Sequence, residues 1–296
     1  MKLKLSLLTS ALLCSSMTNV AQAWNHYDYF SPKLPNVIVG NDLNSAESAD
    51  PIIQQLFSAN RGSNGGGDQS LQFFDNLKGT YINDVLIGGL GADNLFGSWG
   101  NDIMIGGTED FNSFPRTDRA YGQFGHDLFM WAPGDGNDFF DGGKGIDVLA
   151  LGPIGEIRDN DGSEPGFPVF NVSPPGTPGS GDFDGIFLNE YNQPVMNVTG
   201  SPGFCSVVEA QDYPQAFDAL DLDHVVRFTL RGFANSFGVE QEADDGLRIA
   251  ISVKNVEYLV CASRAGGEIE VLDLTTSPPS PAALEDLPAN IADIFI

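Results

Sequence analysis

The sequence is poor in the side chains that carry positive charge or bind transition metals. Its 296 residues include 14 lysines and arginines against 40 aspartates and glutamates, with three histidines and three cysteines. The formal net charge of −26 at pH 7 argues against nucleic acid as a partner, because a phosphate backbone is bound mainly through lysine and arginine. The histidines, His26, His126 and His224, are scattered and form no His-Glu-x-x-His zinc motif.

A long apolar run is also missing. The apolar stretch from Leu5 to Leu13 is far shorter than the about 20 residues that cross a membrane as a helix. It follows Lys2 and Lys4 and precedes a small-x-small cleavage site at Ala21–Ala23, which together are typical of a secretory signal over residues 1–23. We therefore expect an exported protein, extracellular, at the cell surface or in the periplasm, with no transmembrane segment after signal removal.

Removal of the signal leaves two cysteines. Cys14 lies within the signal, so Cys205 and Cys261 are the remaining pair. An even pair outside the cytosol predicts one disulfide. Two separate buried thiols are the alternative.

Glycine and aspartate, in contrast, recur in a nine-residue rhythm. Three sets of positions share this period: Asp75, Asp84, Asp93 and Asp102; Leu77, Leu86, Leu95 and Met104; Gly79, Gly88, Gly97 and Gly106. After an irregular insertion at residues 108–121, nonapeptides begin again at Gly122, Pro133 and Gly142. A helix would not gather these apolar positions on one face and would contain glycine throughout, so the period predicts a coil of strands and turns.

Over residues 70–150 this repeat resembles the RTX, or hemolysin-type, calcium-binding nonapeptide family. The resemblance implies a parallel β-roll in which two nonapeptides form one coil. Turns on the same edge then lie eighteen residues apart, and calcium ions lie between them. The pairs that it implies are Asp75 with Asp93, Asp84 with Asp102, and Asp127 with Asp147.

The candidate ligands all carry oxygen. Aspartate at the sixth position of each repeat offers a carboxylate, and the turn glycines let backbone carbonyls approach a cation. An all-oxygen set without histidine or cysteine favours Ca²⁺ over zinc. The predicted calcium-site residues are Asp75, Asp84, Asp93, Asp102, Asp127, Asp138, Asp147, Gly89, Gly91, Gly100, Asn101, Gly136, Gly143 and Gly145.

Several departures from the pattern predict fewer ions than repeats. Residues 70–75 lack the turn glycines, residues 106–111 lack a sixth-position aspartate, and residues 131–132 interrupt the register. A glycine-rich coil without metal is the alternative. Asp159–Gly162 and Asp182–Gly185 resemble fragments of a helix-loop-helix calcium loop, but they lack its first and twelfth ligands and are predicted to be ordinary turns.

The predicted fold is mostly all-β, with a parallel β-roll packed against a second β-rich region and few short helices. The predicted divisions are the signal at 1–23, an N-terminal segment at 24–69 with a short helix and a glycine-rich linker, the β-roll at 70–150, a β-rich domain at 151–274 and a C-terminal tail at 275–296. Candidate strands in the later part are Val169–Val172, Gly185–Leu188, Val195–Val198, His224–Phe233, Leu247–Val253 and Ile269–Leu274.

These features predict an exported calcium-binding protein with a structural or surface-binding role and no catalytic activity. The chain has no Gly-x-Ser-x-Gly nucleophile motif and no phosphate-binding loop. Two alternatives stay open at this point. One is a secreted hydrolase whose site in the β-rich region has no recognisable motif, and the other is an adhesin or matrix component that binds cell-surface glycans or proteins.

Overall fold

A computed structural model describes residues 34–40, 75–90, 92–108, 117–133, 135–158, 183–231 and 249–295. The chain divides after Leu34 into two compact units, and the fold below is that of the second, Pro35–Ile296. The predicted signal, the predicted short helix with its glycine-rich linker, and the candidate strand Val169–Val172 lie outside the described residues. No helix among the described residues is long and apolar enough to cross a membrane.

The described residues form β-strands with a few short helices. The strands are β1 (Asn36–Val39), β2 (Asn76–Lys78), β3 (Asp84–Leu90), β4 (Asn94–Trp99), β5 (Ile103–Thr108), β6 (Arg119–Phe124), β7 (Leu128–Trp131), β8 (Phe139–Lys144), β9 (Val148–Leu151), β10 (Glu156–Arg158), β11 (Phe183–Ile186), β12 (Gly203–Glu209), β13 (His224–Leu230), β14 (Ile249–Lys254), β15 (Tyr258–Ala262), β16 (Ile269–Asp273) and β17 (Ser280–Ala282). The helices are α1 (Pro214–Leu220), α2 (Ala289–Ala292) and the 3₁₀ turns Ala210–Asp212 and Leu284–Asp286.

Two large sheets contain most of these strands. One has the order β1-β3-β5-β7-β9-β15-β16-β17 and the other the order β12-β13-β14-β8-β6-β4-β2. From β2 to β9 successive strands alternate between the two sheets, and neighbours within each sheet are parallel. Two strands and two turns therefore complete one coil, which confirms the predicted parallel β-roll and the mostly-β fold.

The eighth repeat position fills the space between the sheets. Leu86 pairs with Met104 and Met104 with Phe129 in one sheet, while Leu95 pairs with Ala120 in the other. These side chains are buried and join one hydrophobic cluster with residues of the later strands, including Phe228 and Ile251. A single core therefore serves both the repeats and the strands that follow them.

The two sheets differ on their outer faces. Strands β7 and β9 are buried along their whole length, because residues such as Met196, Ile291 and Ile294 cover the outer face of their sheet. The alternating burial of β4, β6 and β8 shows that the outer face of the other sheet meets solvent. Strands β7 and β9 therefore have continuous apolar sequences, whereas only every second residue is buried in the first part of β4, β6 and β8.

The later strands continue both sheets. Strand β14 pairs in parallel with β8, strand β15 pairs in parallel with β9, and β12, β13, β16 and β17 add antiparallel strands. Both sheets therefore run across the boundary that the sequence predicts at residue 150. The candidate strand at 195–198 is wrong, since this stretch makes only isolated bridges, from Met196 to Ile154 and Phe295. Pro194, directly before it, has no N–H to donate to a ladder.

A disulfide joins the two sheets at this end. Cys205 on β12 and Cys261 on β15 are bonded, with their Cα atoms 6.1 Å apart. The pair is separated by 56 residues in sequence. Closing a loop of that length contributes roughly 4 kcal/mol in the chain-entropy description.

Candidate calcium sites

Sixth-position aspartates lie in two rows, one along each edge of the roll. The first aspartate row is Asp84, Asp102, Asp127 and Asp147, and the second aspartate row is Asp75, Asp93, Asp118 and Asp138. In the first row the backbone N–H of each aspartate donates to Oδ1 of the next, at 2.8 Å in each of three steps. In the second row the same bonds measure 2.6, 2.6 and 3.0 Å. Each of the three pairs that the resemblance implies is thus brought together.

The insertion does not interrupt the second aspartate row. Strand β6 begins at Arg119, so the predicted extent of the irregular segment, 108–121, is wrong at its C-terminal end. Asp118 enters the row directly before this strand and accepts the N–H of Asp93. It supplies the sixth-position carboxylate that the sequence pattern lacks at residues 106–111. The sequence does indicate this position, because Asp118 precedes Asp127 by one nine-residue repeat.

Glycine at the first repeat position gives each carboxylate its space. A β-carbon added to Gly97 would lie 2.5 Å from Oδ2 of Asp102 and 2.8 Å from the carbonyl oxygen of Gly122. Similar cradles exist at Gly79 and Gly88. A carboxylate oxygen and a carbonyl from the next coil therefore converge beside each of these glycines. The predicted site residues did not include the first-position glycines, although their nine-residue period is visible in the sequence.

Among the described residues, three of the four carboxyl groups in the first aspartate row have one oxygen without a hydrogen bond. Oδ2 of Asp102, Asp127 and Asp147 is buried and finds no hydrogen-bond partner among the described residues. Leaving a buried acceptor unsatisfied costs about 1 to 3 kcal/mol, more for a charged group. Atoms of this kind are where a hard cation would bind, so the residues present fit Ca²⁺.

Burial also perturbs the acidity of these groups. It raises the pKa of Asp102 and Asp147 to about 8 and that of Asp127 to about 7. The charge of Asp127 adds to the effect at Asp102. In the second row burial raises the pKa of Asp118 to about 8. The metal-free fold thus favours protonated carboxyls, and a bound cation would favour the charged form.

The remaining ligands would come from the backbone. In the parts of the chain that the structure describes, no three His, Cys, Asp or Glu side chains gather as a metal-binding group. An ion between two turns would therefore combine aspartate with carbonyl oxygens. Gly89, Gly100, Gly136, Gly143 and Gly145, all predicted site residues, have positive φ angles. Side chains rarely adopt this conformation, and glycine adopts it without strain.

Other predicted ligands already serve the turns. Asn101 accepts the His126 N–H at 2.9 Å through its side-chain oxygen, in a row of fifth-position side chains that runs beside the first aspartate row. The carbonyl of Gly136 accepts the indole N–H of Trp131 at 3.0 Å. Gly91 lies outside the described residues. These bonds give Asn101 and Gly136 a role in turn geometry.

Residues outside the repeats close the first aspartate row at both ends. Asn36 Nδ2 donates to Oδ1 of Asp84 at 2.9 Å, and Oε2 of Glu257 accepts the N–H of Asp147 at 2.7 Å. Glu257 thus takes the place that another sixth-position aspartate would have. Sequence reasoning missed both, because neither lies in a nonapeptide.

Comparison with known families agrees with this geometry. Residues 78–110 and 134–149 match the RTX calcium-binding nonapeptide repeat, in four copies. The match omits residues 111–133, although strands β6 and β7 continue the coil there. No curated protein and no solved structure matches the chain significantly. The two matched stretches are therefore RTX calcium-binding nonapeptide repeats, and they form part of the β-roll.

Proposed function

We propose that the protein is an exported calcium-binding protein in which Ca²⁺ ions between successive turns stabilise the β-roll. The observation that carries this proposal is that Oδ2 of Asp102, Asp127 and Asp147 is buried and finds no hydrogen-bond partner in the described part of the chain. Burial opposes ionisation of these stacked carboxyls, and ionised neighbours would repel each other, whereas bound calcium would stabilise the charged form. The repeat family supports Ca²⁺ as the ion.

A structural or surface-binding role without catalysis is consistent with the hydrogen bonds of His126 and His224, the two histidines that the structure describes. Nδ1 of His126 accepts the Ile146 N–H at 2.9 Å, and Nε2 of His224 lies 2.9 Å from the Leu274 carbonyl. Both side chains thus contribute to the structure of turns or strands. Export is supported by the signal-like N-terminus and by the Cys205–Cys261 bond, because disulfides persist mainly outside the cytosol.

The test is a thermal melt of the full chain in calcium, in magnesium and in chelator, with a calorimetric titration by CaCl₂. At 10 mM Ca²⁺, one site with a dissociation constant of about 0.1 mM adds about 2.7 kcal/mol, and several sites add more. We expect a rise of several degrees for each occupied site in calcium and a much smaller rise in magnesium, which prefers rigid octahedral sites. Identical curves in calcium and chelator would overturn the proposal.

A further inference from the structure

A line of aromatic side chains runs along the edge of the roll at the third repeat position. Tyr81, Trp99 and Phe124 are 82%, 60% and 38% exposed. The Trp99 and Phe124 rings stack with centroids 4.4 Å apart and an interplanar angle of 13°. The ammonium of Lys144, on the next strand, lies 5.3 Å from the Phe124 centroid. Among the described residues, Trp99 is the last ring of this stack, and most of its surface remains exposed.

Trp99 also borders a groove of about 620 Å³. The residues that line it include Lys78, Tyr81, Phe96, Ser98, Trp99 and Gln123. Phe96 also stacks on Tyr121, with ring centroids 5.1 Å apart, and so extends the aromatic surface onto the outer face of the sheet. The groove thus offers flat apolar walls together with an ammonium, hydroxyls and an amide at its rim.

Two of the lining residues hold a costly backbone conformation. Ser98 and Gln123 have φ angles of 82° and 75°, at the repeat position where Gly89, Gly107 and Gly143 stand in other coils. A non-glycine residue in this region costs about 1 to 2 kcal/mol. Strain of this kind is found preferentially at functional sites. In this backbone conformation the exposed Gln123 side chain lines the groove.

The charge of the groove limits its ligand. Among the described residues, the lining contains one lysine and no acidic side chain, so it does not attract a cation. The protein as a whole carries a net charge of −26, which repels a polyanion. A neutral polysaccharide meets both conditions. The C–H face of a pyranose ring packs on an indole, and its hydroxyl groups hydrogen-bond to amides, hydroxyls and ammonium groups.

We propose that this groove binds a neutral polysaccharide of hexopyranose units, with Trp99 as the stacking platform and Gln123 as a hydrogen-bonding partner. This inference gives a ligand class to the surface-binding role proposed above. It rests on the roll being folded and not on the number of ions in it.

The test is affinity electrophoresis of the full chain in calcium, through gels that contain a β-1,4-glucan, a β-1,3-glucan, a galactomannan or the acidic polymer alginate. We expect at least one neutral polymer to retard the protein and alginate to do so at least tenfold more weakly. Trp99→Ala should weaken binding about tenfold or more, the effect of losing about 1.4 kcal/mol. Tyr191→Ala is the matched control, since Tyr191 is 58% exposed but does not line the groove.

A second variant separates binding from stability. Gln123→Gly restores the residue type that tolerates the backbone conformation, so its melting temperature in calcium should not fall, while its affinity for the polymer should fall several-fold. Trp99→Ala should keep the calcium-dependent rise in melting temperature. Retardation by no neutral polymer, equal retardation by alginate, or equal loss in Tyr191→Ala would each overturn the inference and leave the calcium proposal intact.

Discussion

Asp127→Asn should stabilise the metal-free protein and weaken calcium binding at the same time. Asp127 is fully buried, and its Oδ1 accepts the Asp102 N–H at 2.8 Å. Its Oδ2 has no hydrogen-bond partner among the residues that the structure describes. Asparagine keeps the accepting oxygen and replaces the unpartnered one by an amide. That amide would lie near the carbonyl of Gly142 and could donate to it.

The magnitude follows from the pKa of about 7, against an ordinary value of 3.8. Above both values, keeping Asp127 ionised costs the metal-free fold on the order of 4 kcal/mol. Relaxation around a charged group reduces this figure, and we expect about half of it as a gain in the variant. For a domain of this size, about 2 kcal/mol raises the melting temperature by about 4 to 8 °C.

In calcium the variant should be less stable than the unchanged protein. The variant lacks one charged ligand, so calorimetric titration should show affinity at least tenfold lower at the sites beside Asp127. Asp218→Asn is the control, because Asp218 is exposed on α1. Thermal melts at pH 8 in chelator and in calcium measure both effects. A lower melting temperature in chelator, or an unchanged calcium shift, would refute the reasoning.

Three further predictions follow from the same geometry. Burial raises the pKa of Asp102, Asp127 and Asp147, so the metal-free fold binds more protons than the unfolded chain between about pH 4 and 8. Its stability should therefore fall and calcium affinity should rise across that window, with proton release in a pH-stat titration. Gly97→Ala should lower stability by about 1 to 3 kcal/mol in urea unfolding, whereas Gly152→Ala, whose nearest contact would be 3.1 Å, should cost less. Thiol titration of the unreduced, denatured chain should find Cys205 and Cys261 unreactive, and reduction should lower the melting temperature even in calcium.

Local repetition made the β-roll predictable. Its strands, turns and core depend on residues within one or two nonapeptides, so Leu86, Leu95 and Met104 identify the core by period alone. Asp118 was missed because the insertion shifts the second row, although its spacing to Asp127 is intact. Counting nine residues from one repeat to the next identifies the sixth-position aspartates only where no insertion separates the repeats.

The later strands could be recognised, but their neighbours could not. Alternating residues in β14 predict a half-buried strand, and the structure has one there. Nothing local shows that β14 pairs with β8 or β15 with β9, because these partners lie more than a hundred residues away. Burial of both faces of the sheet that contains β7 likewise depends on residues from the far end of the chain.

These long-range contacts give the non-repeat parts of the chain a definite role in the roll. A repeat array buries its faces only against neighbouring repeats, so each end needs a cap. At one end β1 pairs with β3, and the Asn36 amide donates to Oδ1 of Asp84. At the other end β14 and β15 extend both sheets, and Glu257 accepts the backbone N–H of Asp147. The side chains that close the first aspartate row are an amide and a carboxylate that belong to no repeat. Since the caps provide the hydrogen bonds that the end turns would otherwise lack, the stacked carboxylates between them are the part of the fold that depends most on a cation.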